Sequence, residues 1–156
     1  MKNIVIFFIL VIFICACSQE SDIEINLKQS EFFLQQNLLN PAVIEVERGL
    51  QYIVLESSES KLPSPILSDT ITADFHGILE DGSVFWSSFE NGEPLTIELS
   101  KLIPGCQKVI SLMKKGDLWR VFIHPSLAYG AEGRPTIPPN AALIFEISLI
   151  EINQSI

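Results

Sequence analysis

Cations are scarce in this chain of 156 residues. Lys and Arg total 10 against 19 Asp and Glu, a formal net charge of −9 at pH 7. No basic patch is available to neutralise phosphates, which excludes a nucleic-acid partner. There is no Walker loop and no dinucleotide fingerprint, and no cofactor is expected. Histidine is nearly absent: His76 and His124 lie on separate strand-like runs with no companion Cys or Glu spacing. They read as imidazoles at strand edges, not as metal ligands. Ser87-Ser88 lacks a Gly-x-Ser-x-Gly setting, which argues against a serine hydrolase. The apolar run at residues 4–14 stops at eleven residues. A membrane-spanning helix needs about 20.

That run follows Met1-Lys2-Asn3 and has the length of a signal-peptide core. It leads into Ile14-Cys15-Ala16-Cys17-Ser18, which resembles a bacterial lipobox. The resemblance implies a lipoprotein signal peptide at 1–16 and acylation of Cys17, with an ordinary cleaved signal peptide as the alternative. Of the three cysteines only Cys106 is then left, so no internal disulfide is expected. Ser18, in place of Asp, implies the outer membrane, facing the periplasm.

The length suits one domain plus an appendage, and 47% apolar residues supply a core. Residues 17–48 read as a polar tether and one short helix over 30–40. Ser30 is its expected cap, and Phe32, Phe33, Leu38 and Leu39 form its apolar side. About three turns fit there, which suits a helix lying on the domain or a spacer; a monomer or weak dimer is the expected state. A first strand is expected over 50–56, then a loop with Pro63 and Pro65. Residues 70–79 alternate, with Ile71, Ala73, Phe75 and Leu79 on one face. Asp81-Gly82 signals a hairpin whose return strand covers 84–86. Asn91-Gly92 marks a turn before a strand over 95–99. Pro104 opens a helix with Cys106, Val109, Ile110 and Met113 on one stripe, ending at Lys114-Lys115-Gly116. Strand-like runs at 118–124 and 141–152 flank a long loop rich in proline. Many strands and one convincing helix predict an α+β domain over 49–152, a largely antiparallel sheet with its apolar face covered by that helix.

Several short motifs fall in one order along this pattern. They are Phe75-His76-Gly77, Leu79-Glu80-Asp81-Gly82-Ser83-Val84-Phe85, Ile103-Pro104-Gly105, Ala128-Tyr129-Gly130, and Ile137-Pro138-Pro139-Asn140 before Leu143-Ile144-Phe145. Together they resemble FKBP-type peptidyl-prolyl cis-trans isomerases. Gly49-Leu50-Gln51-Tyr52 adds a likeness to the bacterial, macrophage-infectivity-potentiator-like branch. The resemblance implies a curved sheet wrapped around one short helix. It also implies isomerisation of X–Pro bonds in exported, proline-containing polypeptides. A prolyl-peptide-binding or chaperone module with little catalysis is the second reading.

Such chemistry needs no nucleophile. Amide resonance sets a barrier of about 18–20 kcal/mol. An apolar pocket lowers it by desolvating the carbonyl, and donors help if they fit the twisted geometry better than the planar one. By resemblance, the catalytic walls are Phe75, Phe85, Tyr129, Ile137 and Phe145. Trp86, Leu95, Leu102, Ile103 and Cys106 bind substrate. Three positions depart from the family pattern. Trp86 stands where Asp is usual, Phe75 where its Tyr partner is frequent, and Cys106 where a large aromatic forms the floor. Weakened binding of macrolide inhibitors is the expected consequence.

Overall fold

The computed structural model describes residues 21–155. The expected signal peptide and Cys17 lie outside the described residues. The first element is a helix, α1 (Asp22–Asn37), followed by strands β1 (Ile44–Glu47), β2 (Leu50–Glu56), β3 (Thr70–Ile78) and β4 (Val84–Ser87). A single helical turn, α2 (Ser88–Asn91), leads to β5 (Leu95–Glu98) and then α3 (Pro104–Ile110). Strands β6 (Leu118–Ile123) and β7 (Leu143–Asn153) complete a seven-stranded sheet of order β1-β2-β6-β7-β3-β4, with β5 also paired to β3. Every pairing is antiparallel. The fold is α+β, as the density of short strands implied.

Alternation along the strands gives the sheet two apolar faces. Ile71, Ala73 and Phe75 of β3 point inward with Val121, Ile123, Ile147 and Leu149. Cys106, Val109 and Ile110 of α3, with Met113 just beyond it, seal this core, each residue at most 2% exposed. The intervening residues Phe122 and Ile144, opposite each other in register, face the other way. They meet Leu34 and Phe33 of α1 in a second, smaller cluster. Gln51 pins the end of α1 to β2: its Nε2 donates to the Leu34 carbonyl at 3.0 Å, and its Oε1 accepts from Asn37 Nδ2 at 2.8 Å.

Three expectations need correction. The N-terminal helix begins at Asp22, not at residue 30, and its cap is Ser21, whose side chain accepts from the Glu24 amide. Its first turns carry exposed Ile23 and Ile25, so they show no apolar stripe to read. Its buried contact is Leu34, whereas Phe32 and Leu39 are 62% and 76% exposed. Strand β1 precedes the expected start of the sheet and is exposed at every position. Finally, α3 ends at Ile110; the chain tightens into turns that still deliver Met113 to the core.

Candidate active site

The hairpin β3–β4 builds the first wall of a cavity. It closes at Gly82, with the Leu79 amide bonded to the Ser83 carbonyl at 2.9 Å. Phe75 on β3 points into the core, and Phe85 and Trp86 on β4 turn toward it. Phe145, from the middle of β7, meets both phenylalanines edge to face, at 6.1 Å from Phe75 and 5.3 Å from Phe85. Trp86 completes the set, edge-on to Phe75 at 6.0 Å. Such edge-to-face pairs place the positive rim of one ring on the negative face of the next. Gly77 makes the arrangement sterically possible. A Cβ there would lie 2.6 Å from the Phe85 ring and 3.0 Å from the Phe145 ring.

The second wall comes from the segment entering α3 and from the long loop after β6. Leu95, Leu102, Ile103, Tyr129 and Ile137 line the cavity, together with Cys106, which is 2% exposed. The cavity encloses about 490 Å³. All of the wall and binding residues anticipated within the domain line this one space. Burial pushes the Cys106 thiol up to about 12. It is therefore a neutral, small apolar group at neutral pH and not a thiolate nucleophile. His76 and His124 stand apart from the cavity, against Ser87 and Ser126.

Lys101, Arg134 and Thr136 also line the cavity and were missed. Arg134 had a signal in hindsight, as the one cation in a loop that also presents a tyrosine. Its guanidinium carbon sits 4.6 Å from the Tyr129 ring centroid, a cation–π contact. The Tyr129 hydroxyl makes no hydrogen bond to any described residue, so its proton is available to a ligand.

The loop is held from two directions. Internally, the Arg134 and Ile137 amides each donate to the other residue's carbonyl, at 2.8 and 2.9 Å, and the Asn140 amide donates to the Gly130 carbonyl at 2.8 Å. Externally, α1 grips its end. Ser30, expected as a cap, is 3% exposed and buried mid-helix. Its hydroxyl donates to the Asn140 carbonyl and accepts from the Ala142 amide, both at 2.8 Å. Asn26 Nδ2 donates to the Pro139 carbonyl at 2.9 Å, and Asn140 Nδ2 donates to the Ile23 carbonyl at 3.0 Å. Asn140 has φ of 55°, in the left-handed region that asparagine tolerates better than most residues. Ser30→Ala strands one buried amide and one carbonyl. It is expected to cost about 1–3 kcal/mol in urea unfolding, and to slow any chemistry in the cavity by loosening Ile137. A midpoint unchanged from the native chain contradicts the clamp.

An antiparallel sheet packed on α3 frames an aromatic cavity whose one cysteine is a buried, neutral thiol. The comparisons with known proteins name the family. The FKBP-type peptidyl-prolyl cis-trans isomerase pattern matches residues 63–150, and the chain belongs to that family. It is 40% identical over 130 residues, 83% of this chain, to a protein of Coxiella burnetii named peptidyl-prolyl cis-trans isomerase Mip. It is 37% identical over 134 residues, 85% of this chain, to the outer membrane protein MIP of Legionella longbeachae. The chain spans 56% of the length of each of these curated relatives. The crystal structure of FkpA from Escherichia coli superposes with a TM-score of 0.80 at 33% identity, over 85% of this chain and 61% of that one. The family assignment and the antiparallel α+β architecture agree with the sequence reading.

Proposed function

We propose that this chain isomerises X–Pro bonds of exported polypeptides in the aromatic cavity. One observation carries the reading: a cavity of about 490 Å³ walled by Phe75, Phe85, Trp86 and Phe145, and lined by Tyr129, whose hydroxyl has no hydrogen-bond partner among the described residues. A prolyl ring fits against the aromatic walls. Removing water from the preceding carbonyl weakens the charge-separated resonance form and favours the twisted amide. Tyr129 donates to a carbonyl of the bound peptide. Ile103 and Ile137 offer walls and backbone groups. Trp86 supplies aromatic surface that the small Cys106 does not supply at the floor. With no acid at position 86, macrolide inhibitors bind weakly. The test removes the donor. Tyr129→Phe should lower kcat/KM roughly 2- to 10-fold, the value of one neutral hydrogen bond. An unchanged value places the donor elsewhere.

The envelope is the proposed site of action, through the acylated Cys17. The support is the short apolar run ending in Ala16-Cys17 and the name of the Legionella longbeachae relative. No helix among the described residues is long and apolar enough to cross a membrane. Mass spectrometry of the mature N-terminus should find diacylglycerol on Cys17, and Cys17→Ala should release the protein from the membrane fraction. Retention of the variant there contradicts the anchor. A single acyl chain binds only marginally, so the full modification is expected.

A further inference from the structure

The cavity rim is charged with one sign only. Lys101 and Arg134 line it, and no Asp or Glu among the described residues does. This runs against the composition of a chain whose formal net charge is −9. The two cations are not equivalent. Lys101 is 67% exposed at its side chain and stands 3.8 Å from the Glu98 carboxylate, so its charge is partly answered. Arg134 has no carboxylate within ion-pair distance among the described residues. It is nevertheless fixed in place. The Tyr129 ring covers one face of the guanidinium, and one Nη1 proton goes to the Gly133 carbonyl at 3.1 Å. The other N–H donors are left for a ligand at the rim.

We infer that the cavity selects X–Pro segments bearing a carboxylate on a residue next to the proline, and that Arg134 is the specificity-determining residue. The inference rests on the cavity being the prolyl site. A guanidinium is a planar fork suited to a carboxylate, and one already held by a ring loses little freedom on pairing. The guanidinium is exposed at the mouth of the cavity, so the pair is a salt-sensitive surface pair whose gain comes from the fixed geometry. The same charge repels a lysine placed beside the proline. Discrimination therefore comes from both attraction and repulsion.

The test uses the native chain and two sets of tetrapeptides, with Leu, Glu or Lys immediately before or immediately after the proline. The Glu-to-Lys ratio of kcat/KM should reach roughly 4- to 20-fold in at least one set at low salt. It should fall toward unity at about 1 M salt, where the Debye length is about 3 Å. Arg134→Gln should flatten the ratio and Arg134→Glu should invert it, with Arg134→Lys restoring part. A general loss of activity would not move this ratio, which separates specificity from structural damage. A ratio near one in both sets, or one indifferent to Arg134→Gln, overturns the inference. If the Leu peptide is not accelerated, the isomerase reading fails instead. The same peptides are then ranked by binding, through the fluorescence of Trp86 in the cavity wall. Equal affinity of the Glu and Lys peptides in both sets overturns the inference there too.

Discussion

Phe145→Ala should lose about 3–5 kcal/mol of stability, the usual cost of emptying a buried aromatic site, together with nearly all isomerase activity. The side chain is 7% exposed and sits between the main core and the cavity. It pairs edge to face with Phe75 and Phe85 at once. Removing it therefore takes away one wall and unseats two more. It also opens a void beside Gly77, whose missing Cβ makes room for this ring. Unfolding in urea gives the stability, and a peptide isomerisation assay at low temperature gives the activity. Phe145→Leu keeps much of the volume and should cost about 1.5 kcal/mol or less, while still losing the edge-to-face contacts. Activity retained in Phe145→Ala, in a folded sample, contradicts the role given to this wall.

Gly133→Ala should have the largest effect on activity relative to its effect on the core. Gly133 has φ of 62° and ψ of −157°, a region essentially reserved for glycine. A Cβ there would also lie 2.4 Å from the Ile137 carbonyl oxygen. That atom belongs to the backbone and cannot rotate aside. The strain is about 1–3 kcal/mol, and relief requires the loop to move. Its neighbours are two cavity walls: the Gly133 amide donates to the Tyr129 carbonyl at 3.2 Å, and the Ile137 carbonyl accepts from the Arg134 amide. Activity should fall at least tenfold, a loss of about 1.4 kcal/mol in transition-state stabilisation. Hydrogen exchange should quicken at the amides of the 129–140 loop and not in β3 or β7. Unaltered turnover contradicts the fixed-loop account.

Elements that repeat a local pattern were legible without the structure. The alternation through Thr70–Ile78 marks a strand with one buried face, and burial follows it residue by residue. Asp81-Gly82 and the stripe from Cys106 to Met113 are similarly local signals. The convergence of Phe75, Tyr129 and Phe145 was not available from periodicity; it came from the order and spacing of family motifs. What stayed hidden depends on contacts between distant segments. Strand β1 buries none of its residues, so it has no alternation to show. Ser30 lies 110 residues from its acceptor Asn140, and a serine before Glu31 looks locally like a cap. The clearance at Gly77 depends on rings from two other strands.

The central claim is that the cavity accelerates rotation about X–Pro bonds. The direct measurement is the cis/trans exchange rate of a Leu–Pro tetrapeptide at 25 °C, followed by NMR with the native chain added in catalytic amounts. Uncatalysed exchange takes tens to hundreds of seconds. The account predicts an exchange rate that rises in proportion to the protein added and returns to the buffer value when a tight proline-site ligand fills the cavity. A rate equal to buffer alone, in a sample whose circular dichroism shows the folded sheet and whose Trp86 fluorescence reports bound peptide, contradicts it and identifies a prolyl-binding module instead.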